Sequence, residues 1–578
     1  MSTPTPPAPD LPEPPEQPEP GQLMADPGTV PEPGAATALT HRQILVIISG
    51  LMMGMLLAAL DLTIVSTSIR TISDDLDGLS IQAWVTTAYL ITSTISTPLY
   101  GKLSDLYGRR PFFLTAISLF VIGSALCALS QNMYQLAAFR AFQGLGAGGL
   151  FSLALAIVGD IVSPRDRAKY QGYFLAVFGS SSVLGPLVGG FFASANTILW
   201  VSGWRWVFLI NVPIGIIALT VVARVLHIPH TRREHRIDFA GAALLTLMLV
   251  PLLIVAEQGR EWGWGSGGAI LCYALGAIGF VGFVTAERRI GDDALLPIRL
   301  LGNKTFTIGS TLNFLIGMGM FGGLAALPLY IQIVKGHGPT ESGLLMLPLT
   351  AGMMSGSIIS GQFISRTGRY RVFPIAGSVL FTLGMFLYST MTVDTSMVVV
   401  GGFALIFGLG LGFNMQTLVL AMQNSVPPQD MGVATSSATF FRQMGGTLGT
   451  AVFLSVLFGS VAGKIGDQIA KVAADPNSPF SKALADPAVA SDPANAPIVN
   501  LVKNGGAGSS GISIDDSSFI TRLNRDLARP VLEGFASSMH LVFAIGAGVL
   551  AVAFVISWFL PEEKLRTQSG LQARAAAE

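Results

Sequence analysis

Charge is scarce in this 578-residue sequence. Asp, Glu, Lys and Arg together make up 12% of it, against ~25% in a typical soluble domain. That shortage excludes an ordinary solvated surface over most of the chain, and 51% hydrophobic residues with a mean hydropathy of +0.59 point to a bilayer. Only two cysteines occur, Cys127 and Cys272, both within apolar stretches; they read as small packing residues, not as a disulfide or redox pair. Lys plus Arg equals Asp plus Glu at 34 each, so no net field favours nucleic acid as a partner. No G-x-x-x-x-G-K-[ST] loop is present, because "GSVAGKI" (459–465) has the wrong spacing, and this argues against ATP-driven work. There is no H-E-x-x-H helix and no paired-cysteine site; His227, His230 and His235 sit in a basic loop and read as solvated side chains. No nucleophile–base constellation lies at one depth, so an intramembrane enzyme is disfavoured and no cofactor or metal is implied. The first forty residues lack Lys and Arg altogether but carry twelve prolines and six acids. That is the reverse of a signal peptide's basic start, and such a segment cannot bury enough apolar area to order itself.

What is present is a series of long apolar runs. About twenty residues of helix cross the hydrocarbon core, and that rule gives spans near 43–66, 83–103, 111–130, 135–158, 170–193, 205–226, 238–257, 266–286, 304–333, 341–364, 372–392, 396–422, 431–460 and 537–560. Fourteen spans put both termini on one side. Loops and tails on that side hold 21 Lys and Arg residues, whereas the short opposite loops hold four: Arg70, Arg205, Arg260 and Lys335. The excess marks the side of the termini as cytoplasmic. Residues 461–536 ("ALADPAVASDPANAP", "KNGGAGSSG") carry seven more and read as an external, partly disordered insert with a helix around Ile520 to Phe535.

The chain also repeats itself. "GKLSDLYGRRP" follows the second span at Gly101, and "GQFISRTGRYR" follows the tenth at Gly361, 260 residues later. "SPRDRAKYQG" before span five is echoed by "PPQDMGVATS" before span thirteen, at an offset of 264. Two matches at nearly one offset indicate duplicated halves of six spans, with spans seven and eight inserted between them. Such repeats place the working site at their interface near the bilayer midplane, exposed alternately by rocking.

These motifs resemble those of the major facilitator superfamily, in its fourteen-helix drug:proton antiporter branch, over residues 41–560 without the external insert. "GKLSDLYGRR" resembles the loop motif between helices two and three, "LAAFRAFQGLGAGG" the helix-four motif and "SVLGPLVGG" the helix-five antiporter motif. "LDLTIVSTSI" resembles the helix-one motif of this branch, and "WRWVFLINVPIG" the start of helix six. The resemblance implies an all-α membrane protein of the major facilitator fold, with 14 transmembrane helices as two pseudo-symmetric six-helix bundles plus two inserted helices. The expected division is a disordered Pro-rich cytoplasmic tail (1–40), an N-terminal bundle (41–228), two inserted helices with cytoplasmic linkers (229–303), a C-terminal bundle (304–560) holding the insert 461–536, and a cytoplasmic tail (561–578). It implies a proton-coupled efflux transporter of lipophilic, including cationic, drugs or antibiotics, in the cell membrane and functional as a monomer. The alternatives are a narrow-specificity exporter of a lipid, antibiotic or other self-made metabolite, and an importer; a sensor or channel is disfavoured by the repeat. Its partners are then a small-molecule substrate, protons and the lipid bilayer.

By the same resemblance Gly101, Asp105, Gly108, Arg109, Arg110 and Asp160 form a conformational latch. Gly101 and Gly108 permit close helix approach and a tight turn. Asp105 faces the positive N-terminus of a helix from the second half, and Arg109 bridges to Asp160 at the end of span four. The chain departs from the family pattern with Leu106 where a basic residue is common, and its second copy has Ser365 in place of the acid. Ser181, Gly185, Pro186, Gly189 and Gly190 form the antiporter motif, read as a rigid kink with close backbone packing; the family's leading glycine is here Ser181. The stretches 313–323 and 412–417 suit an adaptable apolar cavity, with Asn313, Asn414, Gln416 and Arg442 as candidate lining. Arg442 has no evident acidic partner at its depth, and three roles stay open for it: snorkelling, lining the cavity, or meeting an anionic substrate group.

Asp61 is the decisive oddity, a lone carboxylate in the apolar run 44–69. A charge at the bilayer centre costs roughly 2.5–3.5 kcal/mol on insertion scales, so such a residue faces protein or water. Asp61 lies nine residues before Arg70, and Arg140 lies eight after Asn132; at ~1.5 Å per residue both sit roughly 12–14 Å below one boundary. Equal depth permits pairing. Burial disfavours the charged form of an acid and a neighbouring guanidinium favours it, so a pairing that changes with rocking makes Asp61 and Arg140 the expected proton-coupling residues. The bland alternative is a permanent ion pair holding spans one and four together.

Overall fold

The computed structural model describes residues 41–76, 82–195, 197–226, 238–291, 294–503, 520 and 522–566. The expected disordered tail 1–40, residues 567–578 and the loop holding His227, His230 and His235 lie outside the described residues.

The first six long helices are α1 (His41–Asp75), α2 (Gln82–Tyr107), α3 (Arg109–Ala128), α4 (Met133–Ile161), α5 (Pro164–Ser194) and α6 (Asn211–Val225). An adjacent pair follows, α7 (Phe239–Trp262) and α8 (Gly267–Ile290). The last six are α9 (Lys304–Leu329), α10 (Leu347–Thr367), α11 (Val372–Tyr388), α12 (Met397–Ser425), α13 (Met431–Ala473) and α14 (Arg525–Ser557). Among the described residues, eleven helical segments are long and apolar enough to cross a membrane. α11 is an apolar helix of 17 residues, and α2 and α5 carry more Ser, Thr and charged residues. Among the described residues the sheet content is one hairpin of two-residue strands between α5 and α6, with Thr197 opposite Ser202. Leu199 and Trp200 at its tip have positive φ, as a tight twisted turn requires.

Local chemistry sets the helix starts. Asn132, Ser163, Ser266, Asn303 and Ser396 each accept a hydrogen bond from the backbone N–H three residues on, satisfying a donor the helix itself cannot. The repeated turn has a backbone cause as well. Gly108 has φ +99° and Gly368 φ +72°, so the second glycine of each G-x-x-x-x-x-x-G-R copy occupies a conformation other residues avoid.

Packing repeats with the motifs. α4 lies against α2 and α3, and α12 against α10 and α11; α1 lies against α5 and α6, and α9 against α13 and α14; α3 meets α6 as α11 meets α14. The two sets meet where α2 packs on α13 and α5 on α10, contacts that exchange under a two-fold relation. Each set has its own apolar core. α7 and α8 pack on one another and, through α7, on α2 and α13; their outer face, including Ile270, Leu271, Ile278, Phe280 and Val281, is exposed and apolar. An uncovered apolar surface of this extent suits lipid, not water.

The span ends differ from expectation at α1, which runs on to Asp75, and most of all in the last six helices. α13 runs on to Ala473 and α14 begins at Arg525, because Val461, Ile465 and Ile469 prolong the apolar stripe of α13 and are buried, with Gly534 of α14 close against Ile465. The insert read as partly disordered is mostly helical in its described residues. Phe480, Ile498, Leu523 and Leu527 are buried in the same core as the last six helices; residues 504–519 and 521 lie outside the described residues. Past α14 the chain is held too. Glu563 N–H donates to the Tyr370 hydroxyl (3.0 Å), Thr305 Oγ1 donates to Glu563 (2.6 Å) and Asn424 Nδ2 donates to Lys564 O (3.1 Å). Residues 561–566 thus strap the ends of α9, α11 and α12, and burial pushes the Tyr370 phenol up to about 12.

Candidate functional site

Asp61 lies midway along α1 and Arg140 two turns into α4, both fully buried. The Arg140 Nη1 to Asp61 Oδ2 distance is 2.5 Å. Around them is a network that the sequence reading missed. Gln143 Nε2 and Asn211 Nδ2 both donate to Asp61 Oδ1, at 2.9 and 3.0 Å. Gln143 Nε2 also donates to Ser124 Oγ (2.6 Å), and Arg140 Nη1 to Gln143 Oε1 (2.8 Å). Arg140 Nε reaches Val85 O (3.3 Å), and its guanidinium lies 4.0 Å from the Tyr89 ring centroid. α4 and α6 therefore bond the carboxylate of α1 directly, and α2 and α3 hold the residues that bond it. The missed residues had signals: Gln143 is one turn after Arg140, on the same helix face, and Asn211 is a lone amide in an apolar span. A buried charge needs a partner and further hydrogen bonds, and this one has both. Arg140 Nη2 and Asn211 Oδ1 still lack hydrogen-bond partners, so the network has unused donor and acceptor capacity.

At the α2–α3 turn, Asp105 accepts from the N–H groups of Gly432 (3.3 Å) and Val433 (3.0 Å). These are among the first of α13, so a carboxylate from the first six helices caps a helix of the last six, where the helix dipole favours negative charge. Arg109 joins Asp105 (2.6 Å) to Asp160 (2.7 Å) and donates to Ser104 Oγ (2.6 Å). Gly101 is needed for the approach, since a Cβ there would run into Ser436 and lie 2.9 Å from Gly432 O. Arg110 departs from its expected place: its Nη2 donates to Ala223 O (2.7 Å) at the end of α6, so it stays within the first six helices. A cross-contact not foreseen is Arg167, which donates to Gln423 of α12 and to Gly159 O (2.7 Å).

On α5, Gly185 and Gly189 press against α1, where a Cβ would collide with Thr63 and Thr67. Thr63 Oγ1 donates to Ser181 O (3.0 Å) and Ser68 Oγ to Gly189 O (3.1 Å). Gly190 does not share this role. A Cβ there would meet open space, because one residue of helix turns it away from the α1 seam. The Pro186 side chain lies outside the described residues.

The four expected cavity residues divide. Asn313 Nδ2 donates to Gly309 O (2.9 Å) and Asn414 Nδ2 to Gly410 O (2.9 Å); Asn414 packs against Gly377 of α11. Both bond back to their own helices in packed seams. Gln416 and Arg442 are also buried, but Gln416 Oε1 and Arg442 Nη1 have no hydrogen-bond partner. Cys127 and Cys272 are free thiols.

A bilayer-crossing bundle of two matched helix sets with a charge pair locked inside one of them is the architecture of a helical membrane transporter. Residues 51–450 match the sequence profile of the Major Facilitator Superfamily, and the chain belongs to that family, whose members are transporters and not enzymes. Multidrug transporter protein MdtP of Bacillus subtilis is 35% identical over 523 residues, 90% of this chain and 93% of that one. Multidrug resistance protein 3 of the same organism is 36% identical over 443 residues, covering 76% and 85%. The tetracycline resistance determinant of Streptomyces rimosus is 37% identical over 346 residues, 58% of this chain and 97% of that one. Among solved structures, the proton:xylose symporter XylE superimposes with a TM-score of 0.55 at 15% identity, over 93% of this chain and all of XylE. The likeness to XylE is one of fold alone.

Proposed function

We propose that this chain is a proton-coupled exporter of lipophilic drugs or antibiotics, working by alternating access in the cell membrane. In this reading it crosses the bilayer fourteen times as a monomer with both termini cytoplasmic, its units being a bundle over 41–228, an inserted pair over 229–303 and a bundle over 304–560. The drug-exporting relatives support the substrate class, and the 21-to-four distribution of Lys and Arg supports the orientation. The observation that carries the coupling is the Asp61–Arg140 pair with Gln143 and Asn211 on its second oxygen. Protonation of Asp61 cancels the attraction that holds Arg140, and loss of the proton restores it; exposure of the pair to one side at a time then ties each proton crossing to a change of conformation. An entering proton gains about 2.3 kcal/mol per 100 mV, energy available to move substrate outward. The cluster of Asp105, Arg109 and Asp160 on the N-terminus of α13 acts as the latch that shuts the cytoplasmic end. Gly185 and Gly189 supply the close α1–α5 seam of the antiporter motif.

The test is ethidium accumulation in inverted vesicles with an imposed proton gradient. Wild-type protein is expected to concentrate the dye; Asp61→Asn is expected to exchange it across the membrane without concentrating it. Concentration by the Asn variant at the wild-type level would overturn the coupling role. A second reading, export of one self-made metabolite, is favoured by the unpartnered Arg442 Nη1 and Gln416 Oε1, groups that match a substrate with a fixed polar pattern. A panel of unrelated lipophilic cations in the same vesicles separates the two: several accepted compounds support the multidrug reading, and a single one supports the narrow reading.

A further inference from the structure

Away from Asp61, a cavity of about 450 Å³ opens where the inserted helices α7 and α8 lean on α2 and α13. Ligand pockets run from ~300 to ~1,000 Å³, so the space suits one drug-sized molecule. Its mouth is formed by Leu252, Phe280 and Leu301, all exposed on the apolar outer surface, and therefore faces the acyl chains of the bilayer. Its inner wall is Pro98 of α2 with Phe440, Phe441 and Met444 of α13. Directly behind that wall, Thr97 Oγ1 donates to Gln443 Oε1 at 3.2 Å across the seam between the two helix sets.

One residue in this apolar space is out of keeping. Glu287 lines the cavity and is 2% exposed. Its Oε2 accepts from Leu296 N–H at 3.0 Å and fixes the segment leading to α9, but its Oε1 has no hydrogen-bond partner. One oxygen suffices for the structural task, so the second is a buried acceptor awaiting a donor, a costly state in an apolar setting. Asp238, the residue that caps α7, and Lys102 of α2, one of each sign, act on it, as does the Leu295 N–H. Arg288 also lines the cavity but is exposed, and its charge is screened there. The Phe283, Phe440 and Phe441 rings complete a lining that attracts cations through their faces.

We propose that this cavity is a second, lateral binding site for protonated lipophilic amines, taken from the bilayer leaflet on the side of the α2–α3 turn. The ammonium N–H donates to Glu287 Oε1, and the apolar body fills the space between α7, α8 and α13. The site is separate from Asp61 and does not depend on the coupling reading above.

The experiment is photolabelling of the full chain in lipid nanodiscs with a diazirine-bearing arylalkyl dimethylamine, protonated at neutral pH, against its neutral isostere with isopropyl in place of dimethylammonium. The amine is expected to mark the Leu245–Leu252 and Phe440–Met444 peptides at least tenfold more than the isostere does. Glu287→Gln keeps a carbonyl for Leu296 N–H, so it is expected to fold with an unchanged unfolding temperature while losing that tenfold preference. Val284→Trp, which fills the cavity from partly exposed α8, is expected to abolish labelling of both peptides. Asp61→Asn is expected to label as wild type, which separates this site from the central one. Equal labelling by amine and isostere, or full amine labelling of Glu287→Gln, would reduce the cavity to a cleft for lipid chains and overturn the proposal.

Discussion

At the scale of single residues, the chain concentrates its unusual chemistry on one oxygen pair. Asp61 offers two carboxylate oxygens, and protein donors meet both: Arg140 on one, Gln143 and Asn211 on the other. The geometry needs the planar fork of arginine, because Arg140 also reaches Val85 O and stacks on Tyr89. Lysine keeps the charge but has neither the fork nor the stacking face. Arg140→Lys is therefore expected to lower the initial rate of gradient-driven export at least ~10-fold, equivalent to about 1.4 kcal/mol, at normal expression. An unchanged rate would show that charge alone matters at this position. Asn211→Leu removes one donor from a buried carboxylate, a loss of about 1–3 kcal/mol. It is expected to lower the unfolding temperature of the detergent-solubilised protein, and an unaltered melt would mean that Gln143 alone satisfies Asp61 Oδ1.

At the scale of helices, two elements from different sets approach closely only where side chains shrink. α2 meets α13 at Gly101, facing Ser436 and Gly432. Gly101→Ala is expected to reduce export sharply while leaving membrane insertion intact, and Ser436→Gly in the same chain is expected to restore part of it by making room. A fully active Gly101→Ala protein would mean that the seam is never as tight during transport as it is here. This scale also shows what could be read from the chain in advance. Span positions follow from apolar length, and counting residues from the span ends places Asp61 and Arg140 on one level. The repeat at an offset of 260 was legible because both copies need a positive-φ glycine, at Gly108 and Gly368. What escaped was direction around the helix. Gly190 carries the motif's letter but faces open space, and Asn414 packs toward Gly377 of α11. Gln143 and Asn211 looked ordinary and complete the charge site. Which way a helix faces is decided by its neighbours, and no single span encodes that. The same holds for residues 461–503: their Ala-, Asp- and Pro-rich composition suggested a loose insert, while buried Phe480 and Ile498 anchor much of it to the core.

At the scale of the whole molecule, the two helix sets are joined at one end by the Asp105 cap on α13 and by Arg167 with Gln423, and along their length by α2 with α13 and α5 with α10. Each set has its own buried core, so each can move as a body while the seam between them changes. Packed cores switch between discrete arrangements instead of deforming smoothly. A rocking transporter must then exchange opening at one end for closure at the other, whereas a breathing bundle would loosen at both. Spin labels distinguish the two motions. One pair, at exposed Pro111 and Gln429, reports the end held by the Asp105 cap; the other, at exposed Gln131 and Val398, reports the opposite end. On adding a lipophilic amine the two distance distributions are expected to shift in opposite directions. Asp105→Asn weakens the charge on the α13 N-terminus, an interaction of about 0.3–1 kcal/mol, and is expected to lengthen the Pro111–Gln429 distance even without substrate. Shifts of the same sign in both pairs would rule out rocking about the seam, and the Asp61–Arg140 pair would then have no mechanical partner.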